Sequence, residues 1–410
     1  MQFGLNLMRQ AEILSGFTED APRVTRTYLS AQHRQAGDYL IGLMREAGME
    51  AGYDVLGNIV GRYYAADRNA PIVMTGSHQD SVRNAGKYDG LYGILSPIAC
   101  VKSLAQRGIR LPYTLEIVGF GDEEGVRFGV TLIGSKAMAG AFNPAWLDKV
   151  DADGVSMRAA ITQFGGDPAA WVSLDRRGKG VVAFVESHIE QGPVLLNAGL
   201  AVGVVTAIAG ATRMNVVVTG LAGHAGTVPM GGRQDALTAA AEMMLAVERH
   251  CTEHKATLVG TVGTIKALPG AVNVIPQDVT FSVDLRSGDD AARRAAVNAL
   301  QAEFAVIARR RNVTVEATPF FEINAAPCAP ALQTALAEAI SAHGITPRYL
   351  PSGAGHDAME FPPVAPMAML FVRCGNGGIS HHPSETMTAE DAEISTSVLL
   401  HFFEHFKPST

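Results

Sequence analysis

Three short stretches of this 410-residue chain concentrate groups able to hold a cation and move a proton. His78-Gln79-Asp80 follows the apolar run Pro71-Ile72-Val73-Met74, and Asp89 lies within Lys87-Tyr88-Asp89-Gly90. The carboxylate pair Glu123-Glu124 follows Leu115-Glu116-Ile117-Val118-Gly119-Phe120. Each group is expected just past a strand, and open α/β sheets bind ligands at the carboxyl ends of their strands. Imidazole and carboxylate donors without thiolate suit divalent transition metals. Residues i and i+2 share a face of an extended chain, so Asp80 is expected to accept the second ring N–H of His78 and fix its tautomer. His188, in Glu186-Ser187-His188-Ile189-Glu190-Gln191, and His381-His382, in Gly377-Gly378-Ile379-Ser380-His381-His382-Pro383-Ser384-Glu385, have similar settings. Each group alone has a plain reading: a satisfied strand-end histidine, a helix N-cap for Asp89, an exposed acidic turn for Glu123-Glu124. Five candidate ligands at different strand ends outweigh those readings and predict a metal-dependent hydrolytic site.

The surrounding pattern sets the frame that must position them. Apolar spacing predicts helices over 30–47, 91–106 and 131–139, and strands at 53–55, 58–64, 72–75, 115–120 and 181–186. Such alternation implies an α/β catalytic domain, a central mixed sheet flanked by helices. The order then changes to strand 213–219, helix 233–249, strands 257–266 and 278–286, helix 290–310 and strand 314–320. That βαββαβ order is the ferredoxin-like motif. It predicts an α+β lid or dimerisation domain over 211–326, inserted into a catalytic domain made of 1–210 and 327–410. Helix 331–342, strand 368–373 and helix 388–405 complete the latter.

Composition narrows the function classes. A formal charge of −7 offers no basic stripe for nucleic acid. No apolar run approaches the roughly 20 residues of a membrane helix, and the first residues lack the basic and apolar regions of a signal peptide. The four cysteines are far apart and form no CxxC pair, which suits a reducing, cytoplasmic setting.

Five segments in order resemble the hydantoinase/carbamoylase amidases among the aminoacylase/carboxypeptidase-like dinuclear metallohydrolases. They are Gly76-Ser77-His78-Gln79-Asp80-Ser81-Val82, Asp122-Glu123-Glu124-Gly125-Val126-Arg127-Phe128, His188-Ile189-Glu190-Gln191-Gly192-Pro193, Gly223-His224-Ala225-Gly226-Thr227-Val228-Pro229-Met230 and Gly353-Ala354-Gly355-His356-Asp357-Ala358. The family includes allantoate amidohydrolases, N-carbamoyl-L-amino acid hydrolases and β-ureidopropionases, and the resemblance spans essentially the whole chain.

The resemblance implies two divalent ions per subunit, zinc first, with manganese, cobalt or nickel as alternatives. It makes Asp89 the bridging carboxylate, with His78 and His188 completing one site and Glu124 and His381 the other. Glu123 is implied as general base, taking a proton from the attacking water and returning it to the leaving nitrogen. His224 is implied as an oxyanion donor reaching the neighbouring subunit's site, hence a homodimer through the inserted domain. Asn273 and Arg286 are implied as carboxylate anchors; a planar guanidinium suits that task, although a structural ion pair is the bland alternative for Arg286. Gln191, His356 and Arg213 are expected as further substrate contacts. The expected reaction is hydrolysis of a ureido amide on a small carboxylic acid, releasing ammonia and CO2. Allantoate amidohydrolase is the nearest branch, N-carbamoyl-L-amino acid hydrolase or β-ureidopropionase next. A dipeptidase or aminoacylase is more remote, as is a silent binding protein on the same scaffold.

Overall fold

Strands buried on both faces read as unbroken apolar runs because neither side meets water. Four of them form the centre of the larger sheet of this protein. The computed structural model describes residues 3–408, and its chain divides into two units. One comprises the chain up to Thr206, Cys328–Leu350 and the residues from Gly355; the other comprises Ala207–Pro327 with Pro351–Ala354. Residues 1, 2, 409 and 410 of the expected catalytic domain lie outside the described residues.

The first unit opens with α1 (Phe3–Ser15), α2 (Ala31–Glu46), β1 (Glu50–Tyr53), β2 (Ile59–Tyr63) and β3 (Ile72–His78). It continues with α3 (Leu91–Gln106), β4 (Thr114–Phe120), α4 (Ile133–Met138), α5 (Met157–Phe164), β5 (Val181–Ile189), α6 (Val194–Ala198) and β6 (Val202–Ile208). The second unit follows with β7 (Gly210–Thr219), β8 (Gly223–His224), α7 (Ala236–Glu253), β9 (Val259–Leu268), β10 (Val274–Ile275), β11 (Asp278–Ser287), α8 (Asp290–Arg311) and β12 (Thr314–Ile323). The chain ends with β13 (Ala326–Pro327), α9 (Pro330–Ala342), β14 (Tyr349–Ser352), β15 (Met367–Val372) and α10 (Ala389–His405).

The large sheet has the order β1-β2-β4-β3-β5-β15-β6-β13, with β14 also pairing β6. Its inner strands β4, β3, β5 and β15 are mutually parallel, whereas β1–β2, β2–β4 and β15–β6 are antiparallel, so the sheet is mixed as expected. The carboxyl ends of four parallel strands therefore share one rim. Helix α3 is apolar all round and buried along nearly its whole length, as a helix packed in the middle of a unit must be.

Several expected boundaries move. The strand expected at 72–75 runs to His78, and the one at 181–186 runs to Ile189. His78 and His188 thus belong to strands, not to loops after them. The polar ends stay in the ladder because they are buried and paired: Ser77 donates to Glu186 at 2.7 Å, and His78 sits in register with Phe120. The strand expected at 53–55 is instead Glu50–Tyr53, since Asp54 turns the chain by accepting the N–H groups of Leu56 and Asn58. The helix expected from 233 begins at Ala236, after the capping side chain of Asp235. Helix α1 and strand β6 were not anticipated, although Phe3, Leu7, Ala11 and Leu14 carry helical spacing and are buried.

In the second unit the order β12-β7-β11-β9 is antiparallel throughout, the ferredoxin-like arrangement. Strand β11 alternates strictly. Val279, Phe281, Val283 and Leu285 are buried in a core shared with Met243, Val247, Leu300 and Phe304 of the two helices. Ser282, Asp284 and Arg286 fall on the other face.

Candidate active site

The rim of parallel strand ends gathers all five expected ligands. Asp89 lies between β3 and α3 and is buried. Its Oδ1 is 3.6 Å from His78 Nε2 and 3.3 Å from His188 Nε2. Its Oδ2 is 3.0 Å from His381 Nε2, which is itself 3.4 Å from Glu124 Oε1. Two triads of donors result, His78–Asp89–His188 and Asp89–Glu124–His381, each with its ligand atoms within 4.8 Å of one another. Asp89 belongs to both.

The backbone selects which imidazole nitrogens face inward. His78 Nδ1 is 3.1 Å from the Asp80 carbonyl, and His188 Nδ1 is 2.9 Å from the Ile189 carbonyl. A carbonyl only accepts, so each Nδ1 carries the hydrogen and the Nε2 lone pairs point at Asp89. Asp80 does more than the role expected for it. Its carboxylate is 3.5 Å from His78 Nδ1, but its two oxygens accept the N–H groups of Glu123 at 3.1 Å and Glu124 at 3.2 Å. The Asp80 carboxylate fixes the acidic turn, and it faces the same His78 nitrogen as its own carbonyl, which is the nearer acceptor. Nor is Asp89 a cap: Gly90 takes the N-cap position of α3 without a side-chain bond. With φ of 68°, Gly90 brings its backbone so close that a Cβ there would lie 2.5 Å from the His78 ring.

The donor set fits a pair of cations. Asp89 Oδ1 is buried without a hydrogen-bond partner, while two imidazole lone pairs converge on it. Such a group is costly to bury unless a cation satisfies it. Burial disfavours charge on Asp89, but the surrounding imidazoles of His188, His381 and His78 outweigh it and hold the carboxyl well below its usual range. The same contact, opposed by burial, raises His381 to about 8.

Glu123 and Glu124 differ. Burial raises Glu124 to about 7. It pushes Glu123 well above the carboxylate range, with His78 opposing and Glu124 and Asp357 adding to the shift. Glu123 also falls within 4.8 Å of His78 and Glu124 as a potential ligand. Its raised affinity for a proton suits a base that must accept one.

Gln191 joins the site through its side-chain amide, 3.1 Å from Asp89 Oδ2 and 3.2 Å from His381 Nε2. Gln191 and His381 both adopt the left-handed region, φ 56° and 55°, which is uncommon outside glycine and clusters at functional sites. His356 is buried, with its ring edge-on to His188 at 4.5 Å. Glu186, His188 and His356 form a further group of potential ligand atoms. Ser380, Glu186 and Glu385 were not singled out from sequence. Nothing in their spacing marks them; only the folded chain brings Ser380 Oγ to 3.2 Å from Asp89 Oδ2.

Four expected residues belong to the second unit, in two groups. His224 and Asn273 share a small ribbon: His224 pairs with Val274 across β8 and β10, and the Asn273 carbonyl accepts the N–H of Ala225 at 2.9 Å. The His224 ring is exposed, and its Nδ1 accepts the N–H of Gly226 at 3.0 Å. Arg213 and Arg286 flank Asp284 on the helix-free face of the sheet. Arg286 grips both Asp284 oxygens at 3.1 and 3.2 Å and donates to the Gly353 carbonyl, while Arg213 reaches Asp284 at 3.1 Å. The bland ion-pair reading of Arg286 is therefore realised here, yet two guanidinium groups on one carboxylate leave a net positive charge. They line a cavity of about 440 Å³ with Thr261, Ser282 and Phe320.

Comparison with known proteins agrees with this geometry. Residues 74–405 match the model of peptidase family M20/M25/M40. An N-carbamoyl-L-amino acid amidohydrolase of Geobacillus stearothermophilus is 39% identical over 378 residues, 92% of either chain. Allantoate deiminase of Arabidopsis thaliana is 37% identical, with 95% of this chain and 80% of that one aligned. The crystal structure of a hydantoinase/carbamoylase family amidase from Burkholderia multivorans superposes with a TM-score of 0.92 at 33% identity, covering 98% of this chain and 97% of that one. The chain belongs to peptidase family M20/M25/M40 and, within it, to the hydantoinase/carbamoylase amidases. It is a hydrolase of carbon–nitrogen bonds other than peptide bonds.

Proposed function

We propose that the protein hydrolyses the ureido group of a small N-carbamoyl-type carboxylic acid, releasing ammonia and CO2. The observation that carries this reading is Asp89, which joins two ligand triads and keeps a buried oxygen without a hydrogen-bond partner. His78, Asp89 and His188 would hold one divalent ion, and Asp89, Glu124 and His381 the other. Bound there, such a pair polarises a carbonyl and acidifies a water molecule. Zinc fits the nitrogen and oxygen donors, as do manganese, cobalt and nickel.

The chain's own groups do the rest. Glu123 takes the proton of the attacking water and delivers it to the leaving nitrogen. Asp80 holds Glu123 and Glu124 in place through their N–H groups. Gln191 and His356 contact the substrate beside the triads. Arg286, Asn273 and Arg213 anchor its carboxylate, supported by the positive charge left over around Asp284. His224 donates to the developing oxyanion.

We further place the protein in the cytoplasm as a homodimer. Its four cysteines are free and buried, and among the described residues no helix is long and apolar enough to cross a membrane. The dimer is supported by the second unit, whose edge strand β9 exposes Val259 and Ile265 beside Leu245 of α7.

The relatives are named for N-carbamoyl-L-amino acids, allantoate and ureidoglycolate at nearly equal identity. Ammonia release should be measured with allantoate, N-carbamoyl-L-amino acids, N-carbamoyl-β-alanine and dipeptides. Turnover of at least one ureido acid well above the dipeptides is expected. Turnover confined to dipeptides overturns the reading.

A further inference from the structure

Glu385 lies between β15 and α10 and is 4% exposed. Nothing in the proposed chemistry uses it. One of its oxygens accepts two consecutive backbone N–H groups, Tyr88 at 2.9 Å and Asp89 at 3.2 Å. The other accepts the hydroxyl of Ser380 at 2.7 Å. Ser380 Oγ in turn lies 3.2 Å from Asp89 Oδ2 and immediately precedes His381.

We propose that Glu385 is the positioning residue of the bridging carboxylate: it clamps Asp89 at its backbone directly and, by accepting the one hydroxyl hydrogen of Ser380, ties the Asp89 loop to the segment that carries His381. The proposal rests on the dinuclear reading of the two triads. A carboxylate shared by two ions must hold both oxygens in fixed directions, and partners behind the ligands typically contribute 10- to 100-fold in metal affinity. The surroundings are shaped around this side chain. A Cβ on Gly86 would lie 2.2 Å from Glu385 Cδ and Oε1 and 2.4 Å from its Cβ. Gly86 has no left-handed φ, so its backbone is open to alanine, and the nearest atoms in the way are those of Glu385.

Three variants test the clamp: Glu385→Ala, Glu385→Gln and Gly86→Ala. Each metal-free protein is checked by circular dichroism and thermal unfolding, then titrated with zinc against a chromophoric chelator. Glu385→Ala should bind metal roughly 10- to 100-fold more weakly. Glu385→Gln should stay close to wild type, because its amide oxygen accepts both N–H groups and its NH2 donates to the Ser380 oxygen, which keeps the two segments tied. Gly86→Ala leaves Glu385 in the chain but displaces it, so it should weaken binding as alanine at 385 does. It also keeps the question answerable if Glu385→Ala fails to fold. A merely structural role would lower thermal stability and leave the affinity of the folded protein unchanged. Wild type with two equivalents bound, beside folded variants that bind as tightly, overturns the clamp alone. Wild type that takes up no metal overturns the dinuclear reading and the clamp with it.

Discussion

Glu123 and Glu124 are chain neighbours with different surroundings, and the duties proposed for them follow from what each faces. Glu124 points to His381; Glu123 is held with its carboxyl well above its usual range, chiefly by burial. Glu123→Gln keeps the shape and removes the proton acceptor. It should retain two equivalents of metal and lose about 10²–10⁴-fold in kcat. Elemental analysis beside kinetics checks this, and a metal-replete mutant with wild-type turnover would take Glu123 out of the reaction. His381 sets a second expectation. Its imidazole is raised to about 8, mainly by Asp89, so below that pH a proton occupies the nitrogen a metal needs. Metal uptake must expel it, and affinity should rise with pH between about 7, above which Glu124 is ionised, and about 8. Titration calorimetry in buffers of different ionisation enthalpy reads the released proton. An affinity that is flat across that interval, with no proton released, would remove this competition.

Among the elements, what was legible in the sequence followed burial. The parallel strands read clearly because both faces are apolar, and β11 read clearly because its alternation is strict. Their polar ends did not. Thr75-Gly76-Ser77-His78 looks like a loop in composition and is the end of β3, since Ser77 finds Glu186 from the neighbouring strand 109 residues away. All five side chains that converge at the rim could be named from the chain, but not the contact of Asp80 with two backbone N–H groups, nor Glu385, because such partners depend on loops whose paths the local sequence leaves open. Strand β11 gives the next prediction. Arg286→Lys replaces a planar fork with a point charge. Losing a charge-assisted bond to the substrate costs roughly 1.5–3 kcal/mol, about 10- to 150-fold in KM. Arg286 also grips Asp284, so a stability change alone decides nothing. The telling comparison is between a carboxylate substrate and its amide analogue. If the mutant discriminates between them as well as wild type, Arg286 anchors Asp284 and not the substrate.

At the scale of the whole molecule, the question is which chain each His224 serves. His224 belongs to the second unit and every proposed metal ligand to the first. Its loop is exposed, with Leu221, Met230 and Val272 also open to solvent. As an oxyanion donor it should be worth about 10²–10³-fold in kcat, so His224→Ala and Glu123→Gln are each nearly inactive. If His224 acts across a symmetric dimer, the two defects complement. A mixed dimer then has one site with intact Glu123 that receives an intact His224 from the partner chain. Equal amounts exchanged to equilibrium should recover about a quarter of wild-type activity, because half of the dimers are mixed and each has one competent site. If His224 serves its own chain, every site in the mixture lacks one of the two groups and no activity returns. Mixed dimers verified by mass spectrometry, still inactive, would therefore assign His224 to its own subunit.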